Sequence, residues 1–116
     1  MSDINKVERE VIKLSEFEIA PILCDYASED EDYEEYYDEN GDIIGNPIWN
    51  QFVEVERELI NYNLEKSYEV FEVTVQRKSD SKFFKSSYTE SYYRENNYGT
   101  TLIEVFPKTI TKVIYE

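Results

Sequence analysis

Residues 68–77 read YEVFEVTVQR, and this stretch decides the fold because apolar and polar side chains alternate along it. Phe71 and Val73 are expected on one side of the chain, and the polar residues between them on the other. The β-branched and aromatic side chains favour a half-buried strand. Residues 78–81 are typical of a turn, so a second strand is expected to return over residues 82–93.

The C-terminal part of the chain extends this pattern. Two more strands are expected at residues 102–106 and 109–115, interrupted by Pro107. Successive strands with short links favour an antiparallel meander. The 116 residues suffice for a single domain, residues 1–116. The predicted class is therefore α+β, with a meander of four or more strands and one or two short helices.

The N-terminal residues carry two overlapping patterns. Apolar residues from Ile4 to Leu14 are spaced by three, four and three positions, which predicts one face of a short helix. Residues 17–19 alternate with glutamates, which favours an extended chain. A helix that gives way to a strand near Ser15 accounts for both patterns, and Pro21 then limits the strand.

Residues 48–64 fit a helix in one part and a strand in another. Trp49, Phe52 and Val53 are spaced as in a helical turn, whereas the FVEVE sequence of residues 52–56 alternates as a strand does. The second half of the segment favours a strand.

The net negative charge of the chain comes entirely from its first half. Residues 1–58 carry 18 Asp and Glu against 4 Lys and Arg, whereas residues 59–116 carry 8 of each. The charge is densest between Asp25 and Asp42, where ten carboxylates and four tyrosines occur without Lys or Arg. Such a surface repels nucleic acid and anionic membranes and attracts basic protein surfaces.

The residue types that most enzymes need are scarce. The chain has no histidine, one cysteine and three glycines, and it contains no Gly-rich phosphate loop. Cys24 lies among apolar and acidic neighbours, which predicts a buried structural thiol. We expect no enzymatic activity and no cofactor. The absence of an apolar leader and of any apolar stretch near eighteen residues predicts a cytoplasmic protein.

A calcium site is the main alternative for the acidic residues. Asp38, Asn40 and Asp42 alternate like the first ligands of an EF-hand loop. The sixth position of that loop requires Gly and the twelfth requires Glu. Ile43 and Trp49 occupy these positions. No specific metal site is predicted.

The acidic tyrosine-rich segment, residues 25–46, is expected to be inserted as a hairpin or a loop. The dipeptide at residues 40–41, Asn-Gly, predicts a hairpin turn that joins a strand at 34–39 to residues 42–44. A solvated loop is one interpretation of this segment. The tyrosines favour an interface, because tyrosine is enriched in interfaces and stacks on Arg. They could equally bury one face of a local hairpin.

Charge density constrains the interface hypothesis. Eighteen extended residues span roughly 60 Å, so ten carboxylates average about one per 6 Å. A DNA strand carries one phosphate per about 3.4 Å. The segment must fold back, or lie beside other acidic residues, to reach that density. The candidates for this second role are Glu8, Glu10, Glu16, Glu18, Glu54, Glu56 and Glu58.

We therefore expect a partner-binding surface that replaces nucleic-acid phosphates in a basic groove. The expected partner is a basic nucleic-acid-binding protein such as a host defence nuclease, rather than nucleic acid or membrane. The alternative is a phage structural protein that self-associates through strand edges; the oligomeric state, a dimer included, stays open. The predicted interface residues are Glu29, Asp30, Glu31, Asp32, Tyr33, Glu34, Glu35, Tyr36, Tyr37, Asp38, Glu39 and Asp42.

Three sequence stretches carry a resemblance. VFEVTV, RKSDSKFFKSSY and TLIEVFPKTITKVIYE together resemble the C-terminal part of small uncharacterised proteins encoded by phages and prophages of Gram-positive bacteria. The resemblance covers about half of the chain and implies a viral setting in the cytoplasm of a host cell. The composition is also similar to that of DNA-mimic inhibitors, the small acidic phage proteins that block restriction or CRISPR nucleases.

Overall fold

The strand predicted over residues 68–77 has these bounds in the computed structural model and lies inside an antiparallel sheet. The structure describes residues 8–24, 27, 31–92 and 96–107. Within these ranges the sheet has six strands: β1 Val11–Lys13, β2 Phe52–Asn63, β3 Tyr68–Arg77, β4 Phe83–Ser91, β5 Asn97–Tyr98 and β6 Thr101–Val105.

The sheet order confirms the α+β prediction. The strands follow the order β1-β6-β4-β3-β2, and β5 pairs with β4 next to β6. β2, β3 and β4 form a meander, to which β6 and β1 are added. The helical elements are one α-helix, α1 Glu16–Leu23, and two 3₁₀ turns, η1 Glu31–Tyr36 and η2 Ile48–Gln51. Residues 48–64, which the sequence left open between helix and strand, form η2 and then β2, so the preference for a strand in the second half is confirmed. The strand expected at 109–115 lies outside the described residues.

The predicted order of helix and strand near Ser15 is wrong, because the strand comes first. Residues 11–13 form β1, which pairs with β6, and the helix begins after Ser15. The Ser15 hydroxyl accepts a hydrogen bond from the Glu18 backbone, and the Glu18 carboxylate accepts one from the Ser15 backbone. This capping box satisfies two backbone donors and starts the helix there. The N-terminal part of the predicted helix lies outside the described residues.

α1 covers one face of the sheet with its apolar C-terminal half. Ile19 and Leu23 are completely buried, in one cluster with Val73, Phe84 and Leu102. Each such side chain stabilises the fold by about 1.5–3 kcal/mol relative to an exposed one. Cys24 is also in this cluster. The prediction of a buried thiol is therefore confirmed.

Arg57 connects β2 to the end of α1. Its guanidinium donates to the Leu23 carbonyl at 2.6 Å and to the Tyr88 hydroxyl, and it pairs with the Glu54 carboxylate at 2.5 Å. α1 has no basic residue in its last turn. Arg57 therefore supplies the positive charge that the carbonyl groups at a helix C-terminus favour. Burial raises the pKa of the Tyr88 hydroxyl to about 12, so it stays protonated beside Arg57.

A charge network joins the start of the described chain to the β3–β4 turn. Arg77 donates to both oxygens of Glu10, at 2.8 and 2.9 Å, and pairs with Asp80 at 2.7 Å. The buried Glu104 carboxylate accepts the Glu10 backbone N–H at 2.9 Å. Hydrogen bonds from Arg77 lower the pKa of the Asp80 carboxyl to about 2 and also lower the pKa of Glu10.

Removal of the Asp80 charge should destabilise the protein in a pH-dependent way. A carboxyl with a lowered pKa stabilises the fold above its unfolded value of about 3.9, and the effect disappears as the pH falls through about 2. The urea midpoint of Asp80→Asn should therefore lie below that of the natural protein near pH 6 and approach it near pH 2. Ser79→Ala, in the same turn, is the control and should show a constant difference. A constant difference for Asp80→Asn would contradict the network.

Candidate protein-binding interface

Four aromatic rings hold the acidic segment against α1 and η2. The Tyr33 ring stacks on Phe17 with a centroid distance of 4.3 Å and an interplanar angle of 9°. Trp49 meets Tyr33 edge-on at 5.3 Å and Tyr36 edge-on at 4.7 Å. Such aromatic pairs contribute about 0.5–1.5 kcal/mol each beyond the apolar area that they bury. Two tyrosines of η1 therefore fix the segment to the core.

Tyr33 also completes the hydrogen bonding of α1. Pro21 lies inside the helix and has no N–H for the carbonyl of Phe17, four residues earlier. The Tyr33 hydroxyl donates to that carbonyl at 2.7 Å. This hydrogen bond is only partly buried, so its net contribution is about 0.5–1.5 kcal/mol. The acidic segment thus provides, through the Tyr33 hydroxyl, the hydrogen-bond donor that α1 lacks at the Phe17 carbonyl.

The turn after η1 is built around Asp38. Its carboxylate accepts the backbone N–H groups of Asn40 and Asp42, both at 2.9 Å. Gly41 has φ of 82°, a left-handed conformation that glycine adopts without strain. Its N–H donates to the Asp38 carbonyl at 3.0 Å, and the Asp38 N–H donates to the Asp42 carbonyl at 2.9 Å. These bonds make a three-residue loop with glycine at its last position.

The turn predicted at residues 40–41 is therefore confirmed, but the strand expected before it is wrong. η1, not a strand, precedes the turn, and the ladder is reduced to one bridge between Tyr37 and Ile43. The Ile44 N–H donates to the Tyr36 carbonyl at 2.6 Å and extends this pairing by one hydrogen bond. Packing of the η1 tyrosines on α1 and η2 replaces a longer ladder, because the rings meet Phe17 and Trp49 only when η1 is coiled.

Exposed carboxylates cover the outside of this anchored segment. Residues 14–56 contain fourteen Asp and Glu and no Lys or Arg. Among the described carboxylates of that stretch, Glu54 alone forms an ion pair. The exposed acidic side chains of residues 34–42 face solvent, and none of them forms an ion pair with a Lys or Arg that the structure describes. They are Glu34, Glu35, Asp38, Glu39 and Asp42.

The structure sorts the predicted interface residues into distinct groups. Glu29 and Asp30 lie outside the described residues, and Glu31 and Asp32 lie in the first turn of η1. Tyr36 and Tyr37 are half-buried. Tyr33 is only 4 % exposed, so its assignment to the binding surface is wrong. Its ring packs against Phe17 and Trp49, so the ring offers no exposed face on which a partner Arg could stack.

Several of the acidic residues proposed to lie beside the segment are engaged elsewhere or lie on another face. Glu10 is paired with Arg77, Glu18 caps α1, and Glu54 is paired with Arg57. Glu56 and Glu58 pair in register with Thr74 and Glu72, on the sheet face opposite α1. Residues 34–42 carry five exposed carboxylates that form no ion pair with a described Lys or Arg, and they are the part of the predicted interface that the structure describes best.

Two anchors of the segment, Phe17 and Trp49, were not predicted from the sequence. A signal for the first was present, since Ser15 and Glu18 have the spacing of a capping box. That helix contains Pro21, which implies an orphan carbonyl at Phe17 and hence a nearby donor. The structure also brings the turn close to β2, because Tyr37, Ile43, Phe52 and Glu54 line a shared cavity of about 530 Å³.

The described residues form neither a metal-binding cluster nor a membrane-spanning helix. In the part of the chain that the structure describes, no three carboxylate or thiol groups are arranged to hold a metal ion. No helix found there is long and apolar enough to span a membrane. The chain matches no protein-family model, no curated protein and no solved structure. The resemblance to phage-encoded proteins stays a prediction.

Loss of the Tyr33 hydroxyl should be costly only while Pro21 is present. Tyr33→Phe leaves the Phe17 carbonyl without a donor, so unfolding free energy in urea should fall by about 0.5–1.5 kcal/mol. In a Pro21→Ala background the new backbone N–H can donate to Phe17, and the same substitution should cost at most about half as much.

The double-mutant cycle isolates this one hydrogen bond from any other contact of the Tyr33 side chain. Equal losses in the two backgrounds would show that the hydroxyl does not replace the missing helix donor.

Proposed function

We propose that the protein is a non-catalytic inhibitor whose acidic segment binds the basic nucleic-acid groove of a host defence or nucleic-acid enzyme, such as a restriction or CRISPR nuclease. One observation carries the proposal: exposed carboxylates that form no ion pair with a described Lys or Arg lie on a segment that Tyr33 and Tyr36 anchor to the core. A solvated loop that only maintains solubility has no need of such anchors.

The backbone of η1 supports the proposal through its charge spacing. A 3₁₀ helix rises about 2 Å per residue, so the six residues of η1 span about 12 Å. Four of the six are acidic, which gives about one carboxylate per 3 Å of axis. Phosphates along a DNA strand repeat at about 3.4 Å. Within η1, coiling therefore brings the axial spacing of acidic residues close to that of the phosphates.

Order in the free protein also supports tight binding. A partner that binds a flexible acidic loop must pay about 1–2 kcal/mol for each backbone residue that becomes fixed. Here Asp38 already holds the turn with two hydrogen bonds, and Tyr33 holds η1. The carboxylates are thus presented in advance to Arg and Lys side chains, which favours fast electrostatic association.

The remaining chemistry of the chain agrees with a binding role. The chain has no histidine, and its single cysteine is buried at the end of α1. Tyr36 and Tyr37 are half-buried, so each keeps part of its ring available to a partner. A partly exposed tyrosine among carboxylates suits an Arg-rich groove, because the guanidinium both pairs with carboxylates and stacks on rings.

Charge reversal on the segment should abolish binding, whereas the same change elsewhere should not. We would measure association with restriction nucleases, CRISPR nucleases and RNA polymerase at about 0.05 and 0.2 M salt. Glu34→Lys, Glu35→Lys and Glu39→Lys together should slow association with the true partner by at least about tenfold.

The matched control reverses three exposed glutamates outside the segment: Glu56, on the sheet face opposite α1, Glu65 and Glu90. Its net charge changes by the same amount, and its association rate should stay within about twofold of that of the natural protein. Equal effects of the two variants, or binding that salt does not weaken, would contradict the proposal.

A further inference from the structure

The outer strand β2 is unusually exposed for its length. Its twelve residues lie at the end of the sheet order, with β3 as their neighbour among the described strands. Every residue from 53 to 62 is exposed, so both faces of the strand reach solvent. Six large apolar side chains are exposed along it and at its end: Val53, Val55, Leu59, Ile60, Tyr62 and Leu64. Proteins normally shorten or charge such an edge, because it invites pairing with another strand.

The charges of β2 lie in its first part. Glu54, Glu56, Arg57 and Glu58 precede Leu59, whereas the rest of the strand is uncharged. A parallel partner of the same sequence would set each charge beside its own copy. An antiparallel copy centred on Arg57 would set Arg57 against Arg57 and Glu56 against Glu58. Like charges directly opposite each other destabilise a sheet.

Several antiparallel registers avoid like-charge pairs within residues 52–63, and one of them also keeps facing residues on the same side of the sheet. If the two-fold axis passes between Leu59 and Ile60, Glu58 lies opposite Asn61 of the second copy and Arg57 lies opposite Tyr62. Val55 then lies opposite Leu64 of the second copy.

The irregularity between Leu59 and Asn61 makes this register consistent with the sheet faces. The β3 partners of Arg57 and Tyr62 are Val73 and Glu69, on the face that α1 covers. The β3 partners of Glu58 and Asn61 are Glu72 and Val70, on the other face. The facing residues of the two copies therefore lie on the same side of the joined sheet.

We propose that two copies of this protein pair antiparallel along β2 in this register and form a closed dimer. The pairing is isologous, so the β2 edge of each copy is occupied by the other and no further copy can add to it. The other edge strand, β1, has only three residues and offers little to a third copy. The proposal is independent of the inhibitor function, because it concerns a strand outside residues 34–42.

Salt distinguishes this dimer from binding to a basic partner. Each copy carries a formal charge of −14, so the copies repel each other and salt should strengthen their association. Association with a basic groove should instead weaken with salt. Failure of one proposal is thereby separable from failure of the other.

The first test is sedimentation equilibrium of the full chain at about 0.15 and 1 M NaCl. The natural protein should be a dimer whose dissociation constant falls as salt rises. Ile60→Lys should raise that constant by at least about tenfold, since it places a charged side chain opposite Leu59 of the second copy and beside the two-fold axis. Val11→Lys is the matched control, because Val11 is 51 % exposed on the other edge strand and Ile60 is 49 % exposed. It should change the constant by about twofold at most.

The second test fixes the register without destabilising the edge. Directly opposite residues have Cβ atoms about 4.5–5.5 Å apart, near the range of a disulfide. A mixture of Glu58→Cys and Asn61→Cys proteins should cross-link on mild oxidation, and neither variant alone should do so. A monomer at both salt concentrations, an unaffected Ile60→Lys dimer, or equal cross-linking of each variant with itself would overturn the proposal.

Discussion

The hydrogen bond from the Tyr33 hydroxyl to the Phe17 carbonyl joins two parts of the molecule that differ most in composition. One part is an apolar helix that contains Pro21 and therefore lacks a backbone donor. The other is an acidic segment whose self-repulsion opposes compact packing. The stacked ring of Phe17 and the edges of Trp49 surround this bond. The anionic surface depends on it, because the carboxylates of η1 are positioned by the residue that makes the bond.

The charged side chains of the protein fall into two groups, those that join elements of the fold and those that face solvent. Two arginines hold elements together: Arg57 of β2 binds the end of α1, and Arg77 at the end of β3 binds Glu10 near the start of the described chain. The exposed carboxylates of residues 34–42 form no ion pair with a Lys or Arg in the described ranges. A surface of this kind is costly for stability because its charges repel one another, and the proposed function gives it a role.

Local patterns predicted much of the fold. The alternation of residues 68–77 predicted β3, and Asn40 with Gly41 predicted the turn. The N-terminal order failed because apolar spacing fits either a helix or an extended chain over so few residues, whereas pairing of β1 with β6 joins positions about ninety residues apart. Tyr33 was assigned to the binding surface because it lies among acidic residues. That assignment did not consider that the Phe17 carbonyl lacks a helix donor, which the Tyr33 hydroxyl supplies. The exposed edge of β2 could not be predicted, since strand order is a property of the sheet.

The account depends most directly on residues 31–44 being ordered in the isolated protein. Amide hydrogen exchange measures this, with the N–H groups of Ile44 and Asp38, which donate to Tyr36 and Asp42, as reporters. The account predicts that both exchange much more slowly than in an unstructured peptide, as the amides of β3 should. Exchange of both at the unstructured rate, with β3 still protected, would contradict the account, because the carboxylates would then lie on a loose loop.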